Sequence, residues 1–187
     1  MFYPLRPYLA LSLLILTALF SGAAHADYWE LSMGFNYSRS AYSGGSYSWN
    51  RRLGGSIGYN FSDSSTIEYS YQKSYERNHY EGFEDSFYDD EVSSVNFVWN
   101  VLGRTAQIQP YGKFGIGELN RKATIYDTGR TQDQELNQLT GVLGVGLKLL
   151  LTKTLAVRVE GTSYLSGAKI SSWKDNFGAT FGVSFYY

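Results

Sequence analysis

Asn176-Phe177-Gly178-Ala179-Thr180-Phe181-Gly182-Val183-Ser184-Phe185-Tyr186-Tyr187 closes the sequence and decides how the rest of it is read. Phe177, Ala179, Phe181, Val183, Phe185 and Tyr187 fall on one face at a period of two, with Gly178, Thr180, Gly182 and Ser184 on the other, the alternation of a β-strand. In water, a strand with a wholly apolar face and an aromatic last residue leaves a greasy edge open to other chains. The arrangement makes sense if that face meets lipid and the edge pairs with the first strand of a closed barrel, because hydrocarbon tolerates no unpaired backbone groups.

Working back from that strand, seven further stretches alternate in the same way: Tyr28–Ser38, Arg51–Phe61, Thr66–Tyr75, Glu91–Asn100, Ala106–Glu118, Leu136–Leu150 and Leu155–Tyr164. The first sets Trp29, Leu31, Met33, Phe35 and Tyr37 against Glu30, Ser32, Gly34 and Asn36. Pro110 deletes one ladder donor and so belongs near a strand end or a bulge. Long polar connections, Arg39–Asn50, Glu76–Asp90, Leu119–Glu135 and Leu165–Asp175, alternate with short ones, Ser62–Ser65, Val101–Thr105 and Leu151–Thr154. The pattern predicts an all-β fold: an eight-stranded, antiparallel, up-and-down transmembrane β-barrel with long extracellular loops, tight periplasmic turns and both chain ends on the periplasmic side. A ten-residue strand rises ~33 Å, and a tilt of about 40–45° brings that to the ~25 Å apolar band of such barrels.

Composition agrees. The 187 residues have room for one domain, and 17 Tyr, 20 Gly and only 3 Pro favour strands over helices. A net charge of -1 offers nothing to a polyanion, so no nucleic-acid partner is expected. With no Cys, disulfides and a thiol nucleophile are excluded. Residues 1–26 read as a signal peptide, with Arg6 in the basic region, Leu9–Phe20 apolar, and cleavage after Ala24-His25-Ala26, leaving a barrel domain over 27–187. The apolar run is too short to span a bilayer as a helix, so strands must do the crossing.

A soluble, lipocalin-like barrel would put the apolar face inside. Bulk argues against it: Trp29, Phe35, Tyr69, Tyr71, Phe97, Trp99, Phe114, Phe181 and Phe185 share one face and mostly Gly, Ser, Thr and Asn the other, while an eight-stranded interior is just wide enough for side chains to fill. Strand phase then sends Glu30, Arg52, Glu68, Lys113, Lys148, Arg158 and Glu160 into the lumen. Charges withdrawn from water must be paired, so a lumenal charge network is expected. It either locks the barrel or opens by partner exchange as a narrow gated conduit.

Pro110-Tyr111-Gly112-Lys113-Phe114-Gly115-Ile116-Gly117, Gly144-Val145-Gly146-Leu147-Lys148 and the terminal Phe181 to Tyr187 resemble the small outer-membrane β-barrel family of Gram-negative bacteria, the group of the OmpA membrane domain and OmpX-like proteins. The resemblance implies a cell outer membrane location. It also implies that Phe181, Val183, Phe185 and Tyr187 form the signal read by the outer-membrane assembly machinery. It specifies a class and no activity. With no chain after Tyr187, an OmpA-type peptidoglycan-binding domain is not expected.

Some barrels of this kind modify lipid A, and His79, Asp85 and Ser86 supply the residue types of an acyltransferase trio. The deacylase-like His-x-Ser pair is missing, since Tyr80 and Glu81 follow His79. No catalytic residues, cofactor or metal are expected. Glu81, Glu84, Asp85, Asp89, Asp90 and Glu91 are oxygen ligands of the kind Ca²⁺ or Mg²⁺ takes, without EF-hand spacing, and a charge run is usually a solvated face. Tyr42, Tyr47, Trp49, Tyr80, Phe83, Phe87 and Tyr88 suit either an adhesive surface or an upper aromatic girdle. The expected role is structural or surface-interactive: a monomer among outer-membrane lipids and lipopolysaccharide whose four loops meet an extracellular ligand. A small channel is the second reading and a lipid A-modifying enzyme the third.

Overall fold

The computed structural model describes residues 29–42, 45–80, 85–102, 106–127, 130–167, 169 and 177–187. Its strands are β1 (Trp29–Ala41), β2 (Tyr47–Asn60), β3 (Ser65–His79), β4 (Asp85–Asn100), β5 (Ile108–Asp127), β6 (Arg130–Leu150), β7 (Leu155–Ser166) and β8 (Phe177–Tyr186). Each pairs antiparallel with the next, and β8 returns to β1, closing an eight-stranded barrel. At the seam Trp29 N–H donates to the Tyr187 carbonyl (3.2 Å) and Tyr187 N–H to that of Trp29 (2.9 Å), so the last residue is held in the ladder.

The outer wall is apolar and exposed. Trp29 is 51%, Phe114 53%, Phe181 62% and Val145 69% accessible, whereas Ser32, Asn96, Thr140 and Ser184 are buried in the lumen. A barrel that folded in water would reverse these two lists. Pro110 is the third residue of β5, near its start, facing Leu147. The leader with Ala24 and Ala26, and Tyr28, lie outside the described residues.

Three of the expected long loops are largely sheet. β3 and β4 pair up to His79↔Asp85, and β5 and β6 up to Asp127↔Arg130, so only residues 80–84 and 128–129 separate those strands; β1 and β2 pair to Ala41↔Tyr47. Above the membrane both faces of a strand meet water. The apolar alternation that marks a strand in lipid therefore disappears while the backbone ladder continues. Opposite charges across the ladder stabilise it instead: Lys73 lies 3.4 Å from Asp89 and 2.7 Å from Glu91, Arg77 2.9 Å from Asp85, and Arg121 forks onto Asp90 at 2.8 and 2.7 Å. At 20 and 21 residues, β5 and β6 are about twice the ~9–11 residues that cross a bilayer. The barrel thus raises a sheet of continuous strands above the membrane.

Candidate functional site

Two regions concentrate chemistry: a charged layer in the lumen and the wall of the raised sheet. In the lumen Lys148 Nζ lies 2.6 Å from Glu30 Oε2, and Lys113 Nζ lies 2.8 Å from Glu68 and 3.1 Å from Glu160. Arg158 sits between all three carboxylates, 2.9 Å from Glu68, 3.8 Å from Glu30, and in contact with Glu160. Three carboxylates thus face three cations with no net charge. Hydroxyls add hydrogen bonds to Glu160 and Glu30: Tyr111 donates to Glu160 at 2.6 Å and accepts from Arg158 Nε at 2.6 Å, while Thr162 donates to Glu160 at 2.5 Å. Ser32 donates to Glu30 at 3.2 Å and meets Ser184 across the seam at 2.8 Å.

Arg52 stands apart from this layer, a correction to the seven-residue network. Its guanidinium lies over the Tyr164 ring, 5.8 Å from the centroid, and makes no ion pair among the described residues. The reason is height. Glu68 pairs with Gly58 on β2, and Arg52 lies six residues further along that strand, about 20 Å along the tilted backbone and less along the barrel axis. Gly178 of β8 leaves the space that the guanidinium occupies: a Cβ there would come 2.0 Å from Nη1.

Sequence reasoning gives Tyr111 the strand phase of Lys113, and hence the lumenal face, but does not identify it as the hydroxyl between Arg158 and Glu160. It also missed a second, apolar layer of Val92, Leu119, Val142 and Tyr164, all buried. Strand phase carried through the polar segments would have found Leu119. Between the layers a cavity of about 60 Å³ is lined in part by Ser70, Gln72, Lys113, Arg158 and Glu160. The lumen is filled rather than open.

On the raised sheet the acidic run is divided and neutralised. Asp85, Asp89 and Glu91 share the outward phase of β4 and meet Arg77 and Lys73; Asp90 has the inward phase and meets Arg121. Among the described residues no three acidic or histidine side chains converge as metal ligands; Glu81, Glu84 and Phe83 lie outside them. His79 Nδ1 touches Asp85 Oδ1, and that hydrogen bond, with Arg77 behind it, holds the Asp85 carboxyl below its ordinary range. Ser86 pairs with Asn78 and so points to the opposite face of the hairpin from the His79↔Asp85 pair. The trio is therefore not assembled as a nucleophile, base and orienting acid in hydrogen-bond reach. Of the aromatics, Tyr47, Trp49 and Phe87 have the outward phase at and above the edge of the apolar belt, Tyr88 the inward one, and Tyr42 and Tyr80 are exposed where the strands end.

The fold has close counterparts. The N-terminal β-barrel domain of Pseudomonas aeruginosa OprF superposes with a TM-score of 0.58 at 17% identity, covering 87% of this chain and 100% of that one. Ail, the attachment invasion locus protein of Yersinia pestis, gives 0.56 at 15% identity over 86% and 98%. The outer membrane protein OprG of Pseudomonas aeruginosa gives 0.50 at 13% over 87% and 95%. A search of curated proteins finds no match. With the lipid-facing wall and filled polar lumen established, and with the family model for the outer membrane protein beta-barrel domain matching residues 11–185, the chain belongs to that family and is a barrel of the Gram-negative outer membrane.

Proposed function

We propose that the protein is a surface-interaction barrel, which uses its membrane part as a rigid anchor and its raised sheet to contact material outside the cell. The observation that carries this reading is the length of β5 and β6, 20 and 21 residues, with the upper portions held in register by side-chain hydrogen bonds, Thr124 to Asp133 and Asn137 to Glu118, and by the Lys122–Glu135 ion pair rather than left as loops. Crossing the bilayer does not require those portions. A preformed sheet contacts a partner without the ordering cost that a loose loop bears on binding.

Leu119 and Gln138 are direct ladder partners, so residues 120–137 can be replaced by Asn-Gly, a two-residue hairpin turn. The trimmed chain should still insert and still run faster unboiled than boiled on a gel. Attachment of cells expressing it to matrix-coated or cultured-cell surfaces should fall to that of cells lacking the protein. Equal attachment by wild-type and trimmed chains would sink this reading.

The second reading, a gated conduit, draws on the cavity beside Lys113, Arg158 and Glu160. The two filled layers argue against it. Planar-bilayer recordings of pure protein, wild type and Glu68→Ala, are expected to show no conductance steps. Steps in the variant alone would identify the charged layer as a gate.

A further inference from the structure

On β1–β3 the apolar belt ends in a band of cations laid over aromatic rings. Arg39 lies over Tyr47, 5.5 Å from the ring centroid; Arg51 lies over Tyr75 at 4.6 Å and Trp49 at 5.9 Å. Their neighbours on the same face, Lys73 and Arg77, are taken by Asp89, Glu91 and Asp85. Arg39 and Arg51 make no ion pair among the described residues, and both are exposed. Arg39 faces Trp49 across the β1–β2 ladder and Arg51 faces Tyr37, which makes the two arginines diagonal neighbours about 7–8 Å apart at the backbone. Between them runs a groove of about 550 Å³ lined by Phe35, Tyr37, Arg39, Tyr47, Trp49 and Arg51.

The position of this groove selects its occupant. Phe35 and Leu53, directly paired at its lower end, are 52% and 57% exposed on the lipid side. On the outward face of these two strands the arginines are the first charges above them, at the depth where headgroups meet acyl chains. A guanidinium presents a planar fork that matches two phosphate oxygens, and the ring beneath fixes its plane without neutralising it. A soluble acidic peptide would have to descend to the acyl boundary to reach the same forks.

We propose that Arg39 and Arg51 form a binding site for the headgroup phosphate of an outer-leaflet glycolipid whose acyl chains lie along Phe35 and Leu53. The proposal rests on the barrel's place in the outer membrane and not on the surface role proposed above. Phosphate monoesters carry more charge than the diester of a zwitterionic phospholipid, so the site prefers phosphorylated glycolipid to phosphatidylethanolamine.

The test uses the full barrel in nanodiscs of zwitterionic phospholipid, with affinity measured for bisphosphorylated lipid A, for the same lipid with its phosphates removed, and for inorganic phosphate. Wild type should bind the bisphosphorylated lipid roughly tenfold or more tightly than the dephosphorylated one, and Arg39→Gln with Arg51→Gln should erase that preference. Lys73→Gln, whose charge is already paired, should leave it in place. Retention of the preference in the double variant overturns the proposal, and so does inorganic phosphate displacing the lipid at equal concentration, which would make free phosphate the ligand. Boiled and unboiled gel mobilities confirm that each variant is folded. If the double glutamine variant does not fold, Arg39→Lys with Arg51→Lys, which keeps charge but loses both forks, should still weaken binding several-fold. Unchanged affinity in that pair overturns the proposal equally.

Discussion

Arg158→Leu should lower the stability of the folded barrel by about 3–5 kcal/mol, the usual cost of removing one partner from a buried ionic cluster. Among the described residues the guanidinium is the one group that touches Glu30, Glu68 and Glu160 together, and removing it leaves three carboxylates against Lys113 and Lys148. One negative charge is then buried without compensation. Adding Glu160→Leu should recover much of the loss. The remaining residues form two complete pairs, Lys113 with Glu68 at 2.8 Å and Lys148 with Glu30 at 2.6 Å, and the layer is neutral again. Urea unfolding from lipid vesicles measures both variants. A double variant less stable than Arg158→Leu would mean that side-chain volume, not charge balance, holds the layer together.

What could be read from the sequence divides at the membrane surface. Below it, lipid on one side and a packed lumen on the other force a strict period of two, so the eight strands, their phase and the lumenal position of Glu30, Glu68, Lys113, Lys148, Arg158 and Glu160 follow from the residues alone. Above it, water on both sides removes the period. Glu76 to Asp90 and Leu119 to Glu135 then look like loops, although Lys73, Arg77 and Arg121 lie in register with Asp85, Asp89, Asp90 and Glu91. That complementarity becomes visible only when the neighbouring strands are aligned.

Strand phase also gives a face but not a position along the strand, so phase alone does not separate Arg52 from the charges that pair with one another. The position of Ser86 was recoverable in principle. In a strand it must point away from Asp85, and only the reading of its segment as a loop left the His79, Asp85 and Ser86 combination open.

Gly182→Val should prevent the barrel from closing. Gly182 lies opposite Gly34 at the β1–β8 seam, and a Cβ there would come 2.1 Å from the Met33 carbonyl oxygen and 2.9 Å from the Gly34 Cα. Both obstacles are backbone, so no rotamer change relieves them; the strands themselves must separate. The seam can least absorb this, because beyond the Trp29–Tyr187 bonds its register runs only from Glu30↔Tyr186 to Phe35↔Phe181, whereas β1 and β2 pair from Trp29↔Tyr59 to Ala41↔Tyr47. Overpacking elsewhere costs about 1–3 kcal/mol, but an opened seam also strands the backbone groups of two edges in hydrocarbon, at several kcal/mol for each unsatisfied group. Refolding from urea into vesicles should therefore yield no heat-modifiable species. Gly112→Val is the matched control, since a Cβ there meets nothing within 4 Å, and it should refold like wild type. If Gly182→Val instead closes with normal yield, the small residues of the terminal strand are not there for the close approach of β8 to β1, and its lumenal face must be explained by what fills the cavity beside it.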